Sequence, residues 1–404
     1  MRIFAVFLFA YLLSQFFRSF LAVIAPELAL DIGLTAKDLG NVSAAWFAAF
    51  AFAQFPVGWA LDTIGPRRTV PLGMLAAVIG CVLFGAATNT GTAMAAMALI
   101  GLGCSPIYMG ALYYFARTYS SRHFALLSSW LLGIGAAGNL LAATPLALAS
   151  QTYGWRTTFY VIAGITLAAA ALLAWQLEDP SPLKPSSDEH PTANSASDRS
   201  AIADAIELLS LRPLWPFLPI ALVSYAVIAV ERGLWMGPYL SEVYGLAPVD
   251  RGNVALFMAI AMSLGAIIYG PLDQWLGTRK WIVVSGTALT VAGFTALWLL
   301  PNPPLSIAIT LLAIIGAAGL TYGVLMAHAR AFFPDRLLGR GITMMNFLLI
   351  GGAGLLQLLS GNLVSHLKRT QLPPDDIYAT LHGLFACLLL AAGLIYLFSR
   401  DSKQ

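Results

Sequence analysis

The chain of 404 residues is 59% hydrophobic and only 10% charged, with a formal net charge of +3. A soluble globular protein carries about 25% charged residues, so this composition excludes the soluble classes and points to a membrane protein. The small positive excess does not indicate nucleic acid either, because no basic run is interleaved with aromatics in a polar segment.

Apolar runs long enough to cross ~30 Å of hydrocarbon as a helix recur from end to end. In chain order they predict spans at 3–25, 39–61, 70–88, 92–116, 124–149, 156–177, 214–238, 251–272, 281–300, 305–331, 340–364 and 378–398, twelve in all. The expected fold class is an all-α membrane protein. Arg2 followed by an apolar stretch has the look of a signal peptide, but removing it would leave eleven spans, so it is read as the first helix. Placing both termini in the cytoplasm puts fifteen of the 22 Lys and Arg residues on the inner side and leaves only Lys37, Arg156, Arg251, Lys368 and Arg369 outside. The positive-inside rule therefore predicts a multi-pass inner-membrane protein with cytoplasmic termini.

In the first span Tyr11, Gln15 and Arg18 are spaced i, i+4 and i+7 and so share one face. An arginine at hydrocarbon depth costs about 2.5 to 3.5 kcal/mol on insertion scales, which calls for a partner, the headgroups or an aqueous cavity. The polar stripe favours a cavity wall, with snorkelling or a fixed pair with Glu231 as the bland alternatives. Tyr108 and Tyr322 fall near mid-depth on the fourth and tenth spans. Ser128 and Asn139 share a face of the fifth, and Asn346 and Gln357 a face of the eleventh. Each is a cavity candidate whose simpler role is interhelical hydrogen bonding. The glycines at 133, 135 and 138, and at 351, 352 and 354, predict close helix packing, and His328 near the cytoplasmic end of the tenth span is a weak proton-relay candidate.

The seventh span carries Ser224, Tyr225, Glu231 and Arg232 on one arc. Glu231 is the only acidic residue well inside a span, and is a candidate for the coupling proton, weighed equally against a permanent salt bridge to Arg232 or Arg18. Cys81, Cys104 and Cys387 lie within spans without C-x-x-C spacing, so no disulfide or metal site is expected.

Between the sixth and seventh spans the hydrophobic pattern stops, and EDPSPLKPSSDEHPTANSASDRS reads as a cytoplasmic linker over 178–212. It divides the chain into six-helix halves at 1–177 and 213–404. Pro26 and Pro238, Gly58 and Gly270, Gly65 and Gly277, and Arg67 and Arg279 are each 212 residues apart, so the halves are repeats. The clearest pair is GWALDTIGPRR at 58–68 against GPLDQWLGTRK at 270–280. In the first copy Gly58 and Gly65 suit a close approach and a tight turn, and Asp62 can cap a helix or pair with Arg67 or Arg68. This makes a cytoplasmic gate the preferred role over a merely topogenic basic loop.

These loops resemble the signature of the major facilitator superfamily, Gly-x-x-x-Asp-(Arg/Lys)-x-Gly-x-(Arg/Lys)-(Arg/Lys). Gly58, Asp62, Gly65, Arg67 and Arg68 match, Thr63 departs from the usual base, and in the second copy Asp273 comes one residue early while Arg279 is kept. Arg117, Arg330 and GWRTTF at 154–159 add to the likeness, which covers the whole chain. It implies two six-helix bundles, a monomer, and alternating access to a central cavity. The stretch FFRSFLAVIAP further resembles the organophosphate and anion-transporting members, in which an arginine precedes that proline by eight residues, as Arg18 does. Their second arginine falls here on Val230, and Arg232 lies about 200° further around an ideal helix. Either a helix break near Gly233 turns Arg232 inward, or Glu231 and Arg232 pair locally and Arg18 alone meets the substrate. The second is favoured.

The function expected is secondary transport of a small organic anion, a carboxylate or phosphate ester, in symport with protons and without a cofactor. Proton-coupled drug or metabolite efflux is disfavoured because GIGAAGNLLAATP in the fifth span lacks the Gly-Pro-x-x-Gly-Gly element of such antiporters. A non-transporting membrane sensor is the alternative of another class. Enzymatic activity is not expected, since the chain has no Gly-Lys dipeptide, H-E-x-x-H, G-x-S-x-G or C-x-x-C.

Overall fold

The computed structural model describes residues 2–178, 207–208, 210–334 and 337–401, so most of the expected 178–212 linker lies outside the described residues. The first span consists of α1 (Arg2–Phe17) and α2 (Leu21–Ile32), bent by 50° at their junction. Then come α3 (Ala36–Thr63), α4 (Pro66–Gly85) and α5 (Thr90–Thr118). The fifth span is broken into α6 (Ser121–Gly135), α7 (Gly138–Leu141) and α8 (Thr144–Tyr153), and α9 (Trp155–Gln176) is the sixth. The seventh runs through α10 (Phe217–Val230), a π-turn (Glu231–Trp235) and α11 (Met236–Glu242). Next are α12 (Pro248–Leu276) and α13 (Lys280–Leu299), and the tenth span is α14 (Leu305–Gly319) with α15 (Tyr322–Arg330). The last two spans are α16 (Leu338–Arg369) and α17 (Pro374–Tyr396). Eleven of these spans are long and apolar enough to cross a membrane alone, and the bent first pair makes up to twelve.

The helix starts have local causes. Thr35 accepts from Asp38 N while Asp38 accepts from Thr35 N at 3.0 Å, a reciprocal cap that opens α3. Asn89 and Thr92 do the same for α5. Trp59, Trp175, Trp215, Trp275 and Trp281 are exposed and stand at helix ends on the face that carries the termini, the placement of an interfacial aromatic belt.

Four spans expected to be continuous are interrupted, and polar or constrained residues mark the places. In the first, the amides of Arg18 and Ser19 reach back only three residues, to Gln15 O and Phe16 O, and the axis turns there. Pro26 then lacks the N–H that would bond Ala22 O. Against that freed carbonyl packs the seventh span, at Gly237, where a Cβ would come within 1.7 Å of Ala22 O. The seventh span distorts at the corresponding register, through the π-turn Glu231–Trp235, which contains Gly233.

On the far face, opposite the termini, the first six spans meet the last six. There α2 packs on α11 and the π-turn, and α8 packs on α12. Arg251 is 4% exposed and forms an ion pair with Glu27, with Ser241 Oγ accepting at 2.9 Å. Thr144 Oγ1 donates to Asn253 Oδ1 at 2.9 Å. Arg251 is thus a buried helix residue and not the loop residue its position suggests. Beside this layer Arg156 pairs with Asp31 at 2.9 Å, and Trp155 Nε1 donates to the same carboxylate at 3.2 Å.

The termini-side loops differ from expectation. Gly65 has φ +85°, which its turn needs, but Gly58 is exposed with open space where a Cβ would go, so no helix approaches closely there. Asp62, Arg67 and Arg68 are exposed, and among the described residues Asp62 makes no ion pair. The side chain of Asp273 lies outside the described residues. In the second loop the capping carboxylate comes from Asp401, which accepts from Thr278 Oγ1, from Arg279 N at 3.3 Å and from Lys280 N at 3.1 Å. It satisfies orphan donors at the start of α13. Lys280 Nζ in turn donates to Leu397 O and Ser399 O, and Arg279 Nη1 donates to Ala327 O. His328, expected as a possible relay, bonds Tyr396 and Arg400 O and so fastens the same end of the chain.

Candidate binding cavity

The interrupted spans surround one central cavity of about 630 Å³. Its wall takes Tyr11, Gln15 and Arg18 from the first span, Tyr108 from α5, Asn139 from α7, Tyr225 and Arg232 from the seventh, Tyr322 from the tenth, and Asn346 from α16. The far-face layer closes one end. Leu112, Met326 and Thr343 extend the lining toward the termini side.

Arg18 sits where the first span bends. Its Nη1 approaches Tyr225 Oη at 3.4 Å, and its guanidinium stands 5.5 Å from the Trp46 ring and 5.3 Å from the Phe50 ring, within cation–π range. Nε has no hydrogen-bond partner. Gln15 donates to Tyr11 Oη at 2.6 Å, so the predicted stripe is internally bonded as well as cavity-facing.

Arg232 is a correction to the favoured sequence reading. It is not paired with Glu231; the π-turn carries it into the cavity, 7% exposed, on the same wall as Arg18. The fifth span meets it there. Because α7 ends at once, Ala143 N bonds Leu140 O, and the carbonyl of Asn139 is left without an intrahelical donor. Arg232 Nη2 donates to that oxygen at 3.0 Å and Nη1 to Asn139 Oδ1 at 3.1 Å, while Ser19 Oγ donates to the same Oδ1 at 3.0 Å. The two guanidiniums are therefore held by neutral acceptors and aromatic rings. Among the described residues lining the cavity none is acidic.

Three other sequence candidates, Ser128, Gln357 and Glu231, lie outside the lining. Gln357 is fully buried, and its backbone carbonyl would lie 2.7 Å from a Cβ at Gly40, so it belongs to the α3–α16 contact; neither side-chain amide atom has a partner. Its eleven-residue spacing from Asn346 puts both on one ideal face, but eleven residues are about 16 Å, enough to leave the cavity. Glu231 is buried away from the lining, with Oε2 3.3 Å from His382 Nε2. Of the glycine clusters, Gly135 and Gly138 pack on Tyr11 and Leu12, and Gly352 on Leu222, whereas Gly133 and Gly351 have nothing within 4 Å. Sequence reasoning missed Gln54 and Ser263 in the lining and passed over His382, although an ionisable residue inside a span was the signal used for Arg18 and Glu231.

Up to twelve candidate membrane spans around a cavity of about 630 Å³ define a polytopic membrane protein. Residues 7–355 match the model of the Major Facilitator Superfamily, and the chain belongs to that family. Solved structures agree on the fold. A bacterial homolog of the human lysosomal transporter Spinster, inward-facing and occupied, superposes with a TM-score of 0.76 at 16% identity, covering 98% of this chain and 96% of that one. A D-xylose-proton symporter gives 0.78 at 13%, covering 98% and 97%. In sequence the chain is 25% identical over 329 residues to the gentisate transporter of Corynebacterium glutamicum, covering 79% of this chain and 71% of that protein. It is also 25% identical to the fosmidomycin resistance protein of Escherichia coli, covering 81% and 78%, and to the membrane sensor protein UhpC of Salmonella typhimurium, covering 72% and 68%.

Proposed function

We propose that the protein is a secondary transporter that carries a small organic anion by alternating access, in symport with protons. The observation that supports this is the pair Arg18 and Arg232 on one cavity whose described lining residues include no carboxylate. Two fixed positive charges in a low-dielectric chamber want a counter-charge, and the planar fork of a guanidinium fits a carboxylate or a phosphate ester. Tyr11, Tyr108, Tyr225, Tyr322 and Phe50 supply flat apolar surface for the rest of the molecule, which favours a carboxylate on a compact, partly apolar body. Relatives described as transporters of gentisate and of galactarate and D-glucarate are in keeping with this class.

In this reading the halves 1–177 and 213–404 act as two rocking units joined by the 178–212 linker in a monomer. The protein sits in the inner membrane with both termini cytoplasmic, a placement that the bias of Lys and Arg toward one set of loops supports. The far face is then external, and the cavity is cytoplasm-facing here. Tyr11, Gln15, Tyr108, Asn139, Tyr322 and Asn346 would position substrate around the two arginines, and the signature-loop residues would act as a cytoplasmic gate when the cavity turns outward.

Thermal stabilisation of the purified protein by gentisate, D-glucarate, an organic phosphate and neutral sugars tests the reading, repeated with Arg18→Gln and Arg232→Gln. Stabilisation by the acids and not by the sugars, lost in both variants, is expected; stabilisation that survives both substitutions would remove the arginines from the site. Because one relative is described as a membrane sensor, flux in proteoliposomes is the separating measurement: binding without flux would favour reception over transport.

A further inference from the structure

Glu231 and Arg232 are consecutive, yet they serve different surroundings. One helical step turns a side chain by roughly 100°, so as Arg232 enters the cavity Glu231 turns toward α17. There its Oε2 lies 3.3 Å from His382 Nε2. Glu231 is 0% exposed and His382 1%, and both carboxylate oxygens and the imidazole Nε2 have no hydrogen-bond partner. A buried carboxylate without hydrogen bonds is among the costliest groups a protein can hold, and among the described residues its one ion-pair contact is the His382 imidazole.

The titratable groups nearest the pair are Arg232 on the same turn, Tyr239 on α11 and Tyr378 on α17. The Tyr239 ring stands 5.2 Å from the imidazole and 5.5 Å from the Tyr378 ring. Glu242 lies beyond Tyr378, paired with Lys368. From α13 comes Phe294, and from α16 Ser360, which accepts from Trp235 Nε1 at 2.8 Å. The acids of α2 are engaged elsewhere, Glu27 by Arg251 and Asp31 by Arg156; of the two acids of α3, Asp38 is engaged by Thr35 and Asp62 is exposed at the helix's other end. Tyr239 Oη is 3.2 Å from Tyr244 Oη, which donates to Pro303 O, so a line of phenols runs from the pair toward the far face.

We propose that Glu231 and His382 together form the site that takes up the coupling proton, behind the cavity wall and separate from the anion. This rests on the anion reading above. With one proton, as carboxylate and imidazolium or as acid and imidazole, the pair is neutral in sum. A second proton makes it +1, beside a cavity that already carries two guanidiniums. That proton is disfavoured while the cavity is empty and favoured once an anion sits there; by linkage, the proton favours the anion equally. Arg232, covalently next to Glu231, carries the coupling.

Infrared difference titration of the full-length protein in nanodiscs tests this without transport. A C=O band of a protonated carboxyl should titrate in the wild type, vanish in Glu231→Gln and change its midpoint in His382→Gln. Saturating gentisate or D-glucarate should raise the wild-type midpoint by about one pH unit, a tenfold coupling. The double variant Glu231→Gln/His382→Gln leaves no lone buried charge and guards against a folding defect; it should bind the acid with an affinity that no longer depends on pH. A carboxyl band indifferent to Glu231→Gln, or a midpoint unmoved by an acid that calorimetry shows to be bound, would overturn the proposal. If neither acid binds the wild type, the anion reading fails, while the Glu231 band still decides whether the pair holds a titrating proton.

Discussion

At the scale of single residues, the two cavity arginines, Arg18 and Arg232, differ in how they are held. Arg18 leans on aromatic rings and one phenol at 3.4 Å, whereas Arg232 is bonded twice to Asn139. A hydrogen bond to a charged group is worth about 1.5–3 kcal/mol, so removing either guanidinium should weaken binding of the acid by about 10- to 150-fold. Arg18→Lys should recover only part of this, since an ammonium keeps the charge and loses the fork. Calorimetric titration of the three variants checks both statements; full recovery in Arg18→Lys would show that charge alone matters. Arg18 is legible in the sequence because a charge in an apolar run demands a polar surrounding at that depth, and Tyr11 and Gln15 on its own face show where that surrounding lies. The direction of Arg232 is not legible, because it depends on a π-turn, and one extra residue in a turn leaves no mark in the hydrophobic period. His382 escapes notice for a different reason: without its partner 3.3 Å away, a histidine in a span looks like packing.

At the scale of elements, the breaks are where function is built, and each depends on a residue that cannot be read from local sequence alone. Gly237 is one. A methyl there would lie 1.7 Å from Ala22 O, so Gly237→Ala should prevent α11 from seating on α2 and cost about 1–3 kcal/mol, read as a lower thermal midpoint in detergent. Gly164→Ala in α9, with nothing within 4 Å, serves as the control and should be neutral or slightly stabilising. The terminal clasp at α13 gives a pH prediction. Burial raises the Asp401 carboxyl, but the Thr278 hydroxyl, the Lys280 and Arg279 amides and His328 outweigh it and hold it below the usual carboxylate range. A carboxylate depressed in the folded state stabilises above its unfolded pKa, and that stabilisation is lost as pH falls through the folded value. Wild type should therefore be more stable than Asp401→Asn at neutral pH, and the two melting curves should converge below about pH 4, the ordinary carboxylate value. A constant difference across that range would mean that Asp401 acts through shape and not through charge.

At the scale of the whole molecule, the architecture is legible because its signals are long and redundant: twenty-residue apolar runs, loops repeated 212 residues apart, and basic residues sorted to alternate loops. Which end of the cavity is closed is not legible, since that is a property of one state and not of the chain. Here Arg251 with Glu27 and Thr144 with Asn253 join the first six spans to the last six on the far face, besides Arg232 with Asn139 and Arg18 with Tyr225 at the cavity. In the proposed alternating access the far-face contacts part in each cycle, so joining them covalently should stop flux and spare binding from the termini side. The side chains of Thr144 and Asn253 meet at 2.9 Å, close enough for paired cysteines. Of the native thiols, Cys81 and Cys104 are buried and only Cys387 is exposed, so a Cys387→Ser background suffices. In that background Thr144→Cys/Asn253→Cys should transport when reduced and lose nearly all flux when oxidised. Stabilisation by the acid should persist in the oxidised protein, and flux should return with dithiothreitol. Flux that survives a disulfide confirmed by mass spectrometry would mean that the far face does not open between α8 and α12, and that the substrate leaves by another route.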